Sequence, residues 1–217
     1  MQLTASDGHQ FEAYVPQSPG PQRAAVVVIQ EIFGVNGHVR AVADDYAGQG
    51  YWTIAPALFD RFQPSLELGY GPEDRNRGMQ AASQVGLEAA LRDVQSSVEC
   101  AREFGKKVGV LGFCWGGSVA WLAATRLQPD AVVAYYGGQI AKHSAEKPRC
   151  PVQLHFGKRD AHIPMSEIDE IRRHHPGLPI FLYEAGHGFN CDQRESYEPV
   201  SAALARQRTI QFLQENL

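Results

Sequence analysis

The stretch VGVLGFCWGG at residues 108–117 limits the folds open to this chain more than any other part of it. An apolar, β-branched run suited to a buried strand leads through Gly112-Phe113-Cys114-Trp115-Gly116-Gly117 straight into a helical pattern. The backbone must therefore turn sharply between strand and helix, and glycines beside the turn, having no Cβ, let the two elements approach closely. This is the strand-turn-helix context of the GxSxG nucleophile elbow, with cysteine in place of serine.

The remaining sequence repeats the alternation. Strands are predicted at 24–29, 51–55, 107–112, 131–136, 152–157 and 180–184, with an edge strand near 11–15. Helical spacing falls at 37–49, 86–104, 116–127, 166–175 and 199–215, and most prolines lie between the elements. Continuous apolar strands need cover on both faces, so the expected class is α/β, a mostly parallel sheet flanked by helices, in one domain over 1–217. The stretch 58–76 lacks periodicity and is expected to be a substrate-facing loop.

Composition narrows the function. With 44% hydrophobic and 20% charged residues the chain is not disordered, collagen-like or coiled-coil. A net charge of -4 without a basic run gives no nucleic-acid footprint and favours a small-molecule partner. The longest apolar run, 24–29, is far below the roughly 20 residues of a membrane span. The first residues show neither a basic nor an apolar leader region, so a cytoplasmic location is expected. Four cysteines, Cys100, Cys114, Cys150 and Cys191, form no CxxC pair and are read as free thiols, with no metal and no organic cofactor expected. Oligomeric state is not legible.

A cysteine at a helix N-terminus is favoured as thiolate, the attacking form, and the Trp115 backbone N–H can donate to a developing oxyanion. A buried structural cysteine is the plainer alternative. In elbow architectures the acid and then the histidine follow in the chain. Asp160 stands just past the strand at 152–157 and His187 in a glycine-bracketed loop past the strand at 180–184. A turn or helix-capping role competes for Asp160. His162 is the weaker histidine, His155 falls inside a strand, and His174 and His175 lie near a helix end. After the strand at 24–29, the Ile32 N–H is the expected second oxyanion donor. Glu31 either faces the nucleophile or forms a salt bridge to an arginine.

With QEIFGVN at 30–36, GFCWGG at 112–117, the Asp160 segment and EAGHGF at 184–189 in order, the chain resembles the dienelactone hydrolase family of the α/β-hydrolase fold. The resemblance implies a Cys114, Asp160, His187 triad and lactone opening through a cysteine acyl-enzyme, as in carboxymethylenebutenolidase. It also implies that Glu31 contacts the resting thiol and swings away when an anionic substrate binds. Two arginines would hold a substrate carboxylate. The first matches Arg75, with Arg77 possible by register. The second is expected where Cys191 stands, with Arg194 three positions on, and Met79 and Ala82 replace aromatic pocket positions. Two other readings remain: a broad carboxylesterase or thioesterase, and a non-catalytic binding protein with a redox-sensing thiol at Cys114.

Overall fold

Runs such as Ala24–Ile29 and Val108–Phe113 are buried along their whole length, which is possible only where helices cover both faces of a sheet. The computed structural model, which describes residues 1–18, 20–105 and 107–217, has that arrangement. Eight strands form one sheet: β1 (Gln2–Thr4), β2 (Gln10–Tyr14), β3 (Ala24–Ile29), β4 (Tyr51–Pro56), β5 (Val108–Phe113), β6 (Ala131–Tyr135), β7 (Val152–Gly157) and β8 (Ile180–Tyr183). Their order is β1-β2-β4-β3-β5-β6-β7-β8; β1, β2 and β4 pair antiparallel and every other pair is parallel.

Five helices connect them: α1 (Gly37–Gly48), α2 (Pro72–Phe104), α3 (Trp115–Arg126), α4 (Met165–His174) and α5 (Pro199–Asn216). α2 and α3 pack against each other beside β3, β5 and β6. α1 lies along β3 and β4, and α5 along β6 and β7. α1 and α5 are joined by the two-pronged Arg206–Asp45 pair at 2.7 and 2.6 Å.

Two expectations need correction. The stretch 58–76 is not one irregular loop: a 3-10 turn occupies Leu58–Arg61 and α2 begins at Pro72, fourteen residues before the helix predicted at 86–104. Proline at the first helical position and Glu73 and Asp74 in the first turn suit a helix start. Gly86, at φ 68, interrupts α2 and separates its two halves. The second correction is β1, a three-residue edge strand too short to show a period.

All parallel strands point the same way, so the loops after β3, β5, β6, β7 and β8 open on one edge of the sheet, where parallel sheets present functional groups.

Candidate active site

Cys114 sits between β5 and α3 at φ 55, ψ -120, a left-handed conformation uncommon for a residue with a side chain. The surroundings hold it there. Its N–H donates to the Tyr135 carbonyl at 3.0 Å, and its own carbonyl accepts from Gly117 at 2.9 Å. A Cβ at Gly112 would collide with the Gly116 carbonyl, and one at Gly116 with the Gln30 carbonyl. Only hydrogen fits at both positions, so strand, turn and helix close around the cysteine and lift its side chain to the sheet edge.

The candidate acid and base arrive on the next two parallel strands beyond β6. Asp160 follows β7 and His187 follows β8, and their loops are joined: the Lys158 N–H donates to Tyr183 at 2.8 Å and the Arg159 N–H to Ala185 at 3.0 Å. His187 Nδ1 lies 2.7 Å from Asp160 Oδ2, and Nε2 lies 3.1 Å from Cys114 Sγ. Asp160 Oδ1 accepts from the His162 N–H at 2.8 Å. Burial alone would push His187 down, but a thiolate at Cys114 and the hydrogen bond to Asp160 outweigh it and carry the imidazole up to about 10.

Ile32, Phe33, Arg75, Met79, Trp115, His162 and Arg194 line the same cavity as Cys114 and His187, about 240 Å³ in volume. Among the described residues, neither the Ile32 nor the Trp115 backbone N–H has a protein acceptor. Arg75, on the first turns of α2, places Nη2 3.2 Å from His162 Nε2; Arg77 instead pairs with Gln63. Burial, followed by the field of His187, lowers His162, which suits a neutral ring accepting from Arg75. Of the two arginines that the sequence left open, Arg75 lines this cavity and Arg77 turns to Gln63. Met79 lines the cavity and Ala82 an adjoining groove.

Counting along the chain, Arg194 is three residues from the position where the resemblance expects an arginine. Two successive turns carry its side chain to the cavity: the Cys191 N–H donates to Gly188 at 3.0 Å and the Arg194 N–H to Cys191 at 3.1 Å. The guanidinium then packs over Gly188 and the Phe33 ring, and Nη1 lies 3.4 Å from Glu31 Oε1. Glu31 is 2% exposed, so the salt-bridge alternative describes its position here, while the thiol faces His187. Burial opposes the Arg194 cation, and only Glu31 together with Tyr136, Cys114 and Cys191 raises it above its ordinary value.

Sequence reasoning passed over Tyr136. It follows β6 at φ 38, its ring meets His187 edge-on at 5.1 Å, and its buried hydroxyl has no hydrogen-bond partner. Burial, then the charges of Glu31 and Cys114, push the phenol well above its ordinary value. The available signal was AVVAYYGG, a buried strand ending in glycines next to the nucleophile's strand. Among the described residues no helix is long and apolar enough to cross a membrane.

Comparison with known proteins shows the family of the chain. The profile of the Dienelactone hydrolase family matches residues 11–217. A protein of Synechocystis sp. is 36% identical, covering 90% of this chain and 87% of its own. The carboxymethylenebutenolidase of Pseudomonas putida is 34% identical, covering 97% and 94%. A crystal structure from Klebsiella pneumoniae superposes with a TM-score of 0.84 at 30% identity, covering 97% and 96%.

Proposed function

The chain belongs to the dienelactone hydrolase family, and from that premise we propose that it opens a carboxylate-bearing lactone through an acyl-enzyme on Cys114. The single observation that supports this most is the continuous Sγ, imidazole, carboxylate line of Cys114, His187 and Asp160, at 3.1 and 2.7 Å, facing a cavity that also holds Arg75 and Arg194.

In the proposed sequence the Cys114 thiolate attacks the lactone carbonyl carbon. The oxygen that becomes negative accepts from the Ile32 and Trp115 N–H groups. As the tetrahedral carbon collapses, the ring C–O bond breaks and the leaving oxygen takes its proton from the His187 imidazolium. A water then gives a proton to neutral His187 and attacks the thioester, and the hydrolysed acid leaves Cys114 as thiolate beside the recharged imidazolium. Asp160 holds the ring orientation throughout. Glu31, by pairing with Arg194, leaves the thiol to His187, and Arg194 retains donors for the substrate carboxylate.

The test is a substrate comparison. A charge-assisted hydrogen bond contributes about 1.5–3 kcal/mol, so Arg75→Ala should lower kcat/KM for a carboxylate-bearing lactone roughly ten- to a hundredfold and change a neutral ester little. Arg194→Ala should show the same selectivity. Equal losses on both substrates, or a preference of the unmodified enzyme for neutral esters, would overturn the carboxylate reading. A broad carboxylesterase on the same cysteine would then replace it.

A further inference from the structure

A second cysteine, histidine and carboxylate meet at the start of α1, away from the line just described. His38, in the first turn of α1, is 5% exposed, Cys191 is fully buried and Asp192 is exposed. His38 Nδ1 lies 3.0 Å from Asp192 Oδ1. One donor atom from each of the three residues lies within 4.8 Å of the other two.

The two trios differ in shape. At His187 the ring stands between its partners, with sulfur on Nε2 and carboxylate on Nδ1, so no single ion could touch all three. At His38 the three donors converge. Zinc holds its ligands at about 2.0–2.3 Å, which sets tetrahedral donors roughly 3.3–3.8 Å apart. The donor atoms of the cluster lie within 4.8 Å of one another, and Nδ1 of His38 and Oδ1 of Asp192 stand 3.0 Å apart.

A second observation concerns the imidazole itself. Among the described residues the buried His38 ring has one polar contact, Nδ1 to Asp192, and its Nε2 has no hydrogen-bond partner. The thiol is also held in place: Cys191 Sγ–H donates to the Tyr70 hydroxyl at 3.3 Å, and that hydroxyl accepts from Asn36 Nδ2 at 3.1 Å. Asn36 caps α1 as well, through its acceptance from the Val39 N–H, so the cap, Tyr70, Cys191 and His38 form one small framework. Sulfur, imidazole and one carboxylate make a donor set for zinc rather than for magnesium or calcium, which take oxygen ligands.

We propose that His38, Cys191 and Asp192 form a zinc-binding site with an open fourth position. On binding, the Cys191 S–H bond breaks, a Zn–S bond forms and the proton leaves to solvent; neutral His38 gives a ring lone pair and Asp192 a carboxylate oxygen. No electrons are transferred. Because the Arg194 N–H donates to the Cys191 carbonyl, the ion would sit at the base of the turn that carries Arg194 into the cavity. The site does not depend on the reaction proposed above.

The experiment is a zinc titration of the full chain against a chromogenic chelator, run beside Cys114→Ser, Cys191→Ser and Asp192→Asn. The expected result is one zinc per chain, kept in Cys114→Ser and weakened at least about tenfold in the other two. A zinc-dependent rise in the thermal midpoint, present in Cys114→Ser and absent in Asp192→Asn, gives a second readout should Cys191→Ser fold poorly. Zinc that is lost with Cys114, or bound unchanged by both Cys191→Ser and Asp192→Asn, overturns the proposal, as does a protein that takes up none.

Discussion

Three of the four thiols are held in the neutral form by burial: Cys150 is pushed up to about 12 and Cys191 to about 11, and Cys100 is raised too. Cys114 alone has an imidazole 3.1 Å from its sulfur. Stoichiometric alkylation followed by peptide mapping should therefore modify Cys114 first, with activity falling in step. Modification of another cysteine accompanied by the same loss would remove Cys114 from its role. The partner imidazole offers a complementary check. With its value raised to about 10, His187 stays protonated through neutral pH and releases its proton only as pH rises through that value. Cys114→Ala removes the charge that opposes desolvation, so the ring should deprotonate at clearly lower pH, followed by its imidazole NMR shifts. An unchanged titration would mean that Asp160 alone sets the value. Residue identity thus carried most of this site into the sequence, because elbow, acid and base each stand at the end of a recognisable strand. Arg194 was less legible, since two consecutive turns after Gly188, rather than any spacing rule, return it to the cavity.

Elements were readable where burial left a period. β3, β5 and β7 are buried throughout because both faces are covered, β3 and β5 with apolar residues alone, and they stand within a residue of their predicted bounds. The first half of α2 was not readable, since its buried positions are Gly78, Ala81, Ala82 and Val85, too small to mark an apolar stripe among PEDRNRGMQ. Small size has a structural cause here. A Cβ at Gly78 would collide with the Ile32 carbonyl, so the helix that carries Arg75 and Met79 lies directly on the loop that offers the Ile32 N–H. Gly78→Ala should then force the helix outward, at about 1–3 kcal/mol of stability, and lower activity by displacing both walls of the cavity together. Thermal melts and kcat/KM measured on one preparation test this. A variant with unchanged melting and unchanged kinetics would show that the contact yields without consequence.

At the scale of the molecule, the antiparallel edge is fastened by charge as well as by the buried Phe11 and Ala13. Arg61 reaches Asp93 in α2 at 2.8 and 2.7 Å and Asp7 in the β1–β2 turn at 2.9 and 3.0 Å. Asp93 is fully buried. Arg61→Leu strands that carboxylate, and should cost roughly 3–5 kcal/mol, seen as a lower urea midpoint with an unchanged slope. Asp7→Ala, at the wetter end, should cost about 1 kcal/mol or less. Equal costs would mean that the edge, not the buried carboxylate, sets the value. The opposite side of the sheet has a different consequence. The proposed nucleophile, acid and base, Cys114, Asp160 and His187, stand at the ends of β5, β7 and β8, in that order along the chain. A chain still being synthesised therefore displays Cys114 long before the imidazole that comes to stand 3.1 Å from its sulfur. Under the proposed mechanism the three groups meet only once β8 has docked, so the last strand of the chain would be the arming step for a cysteine built much earlier.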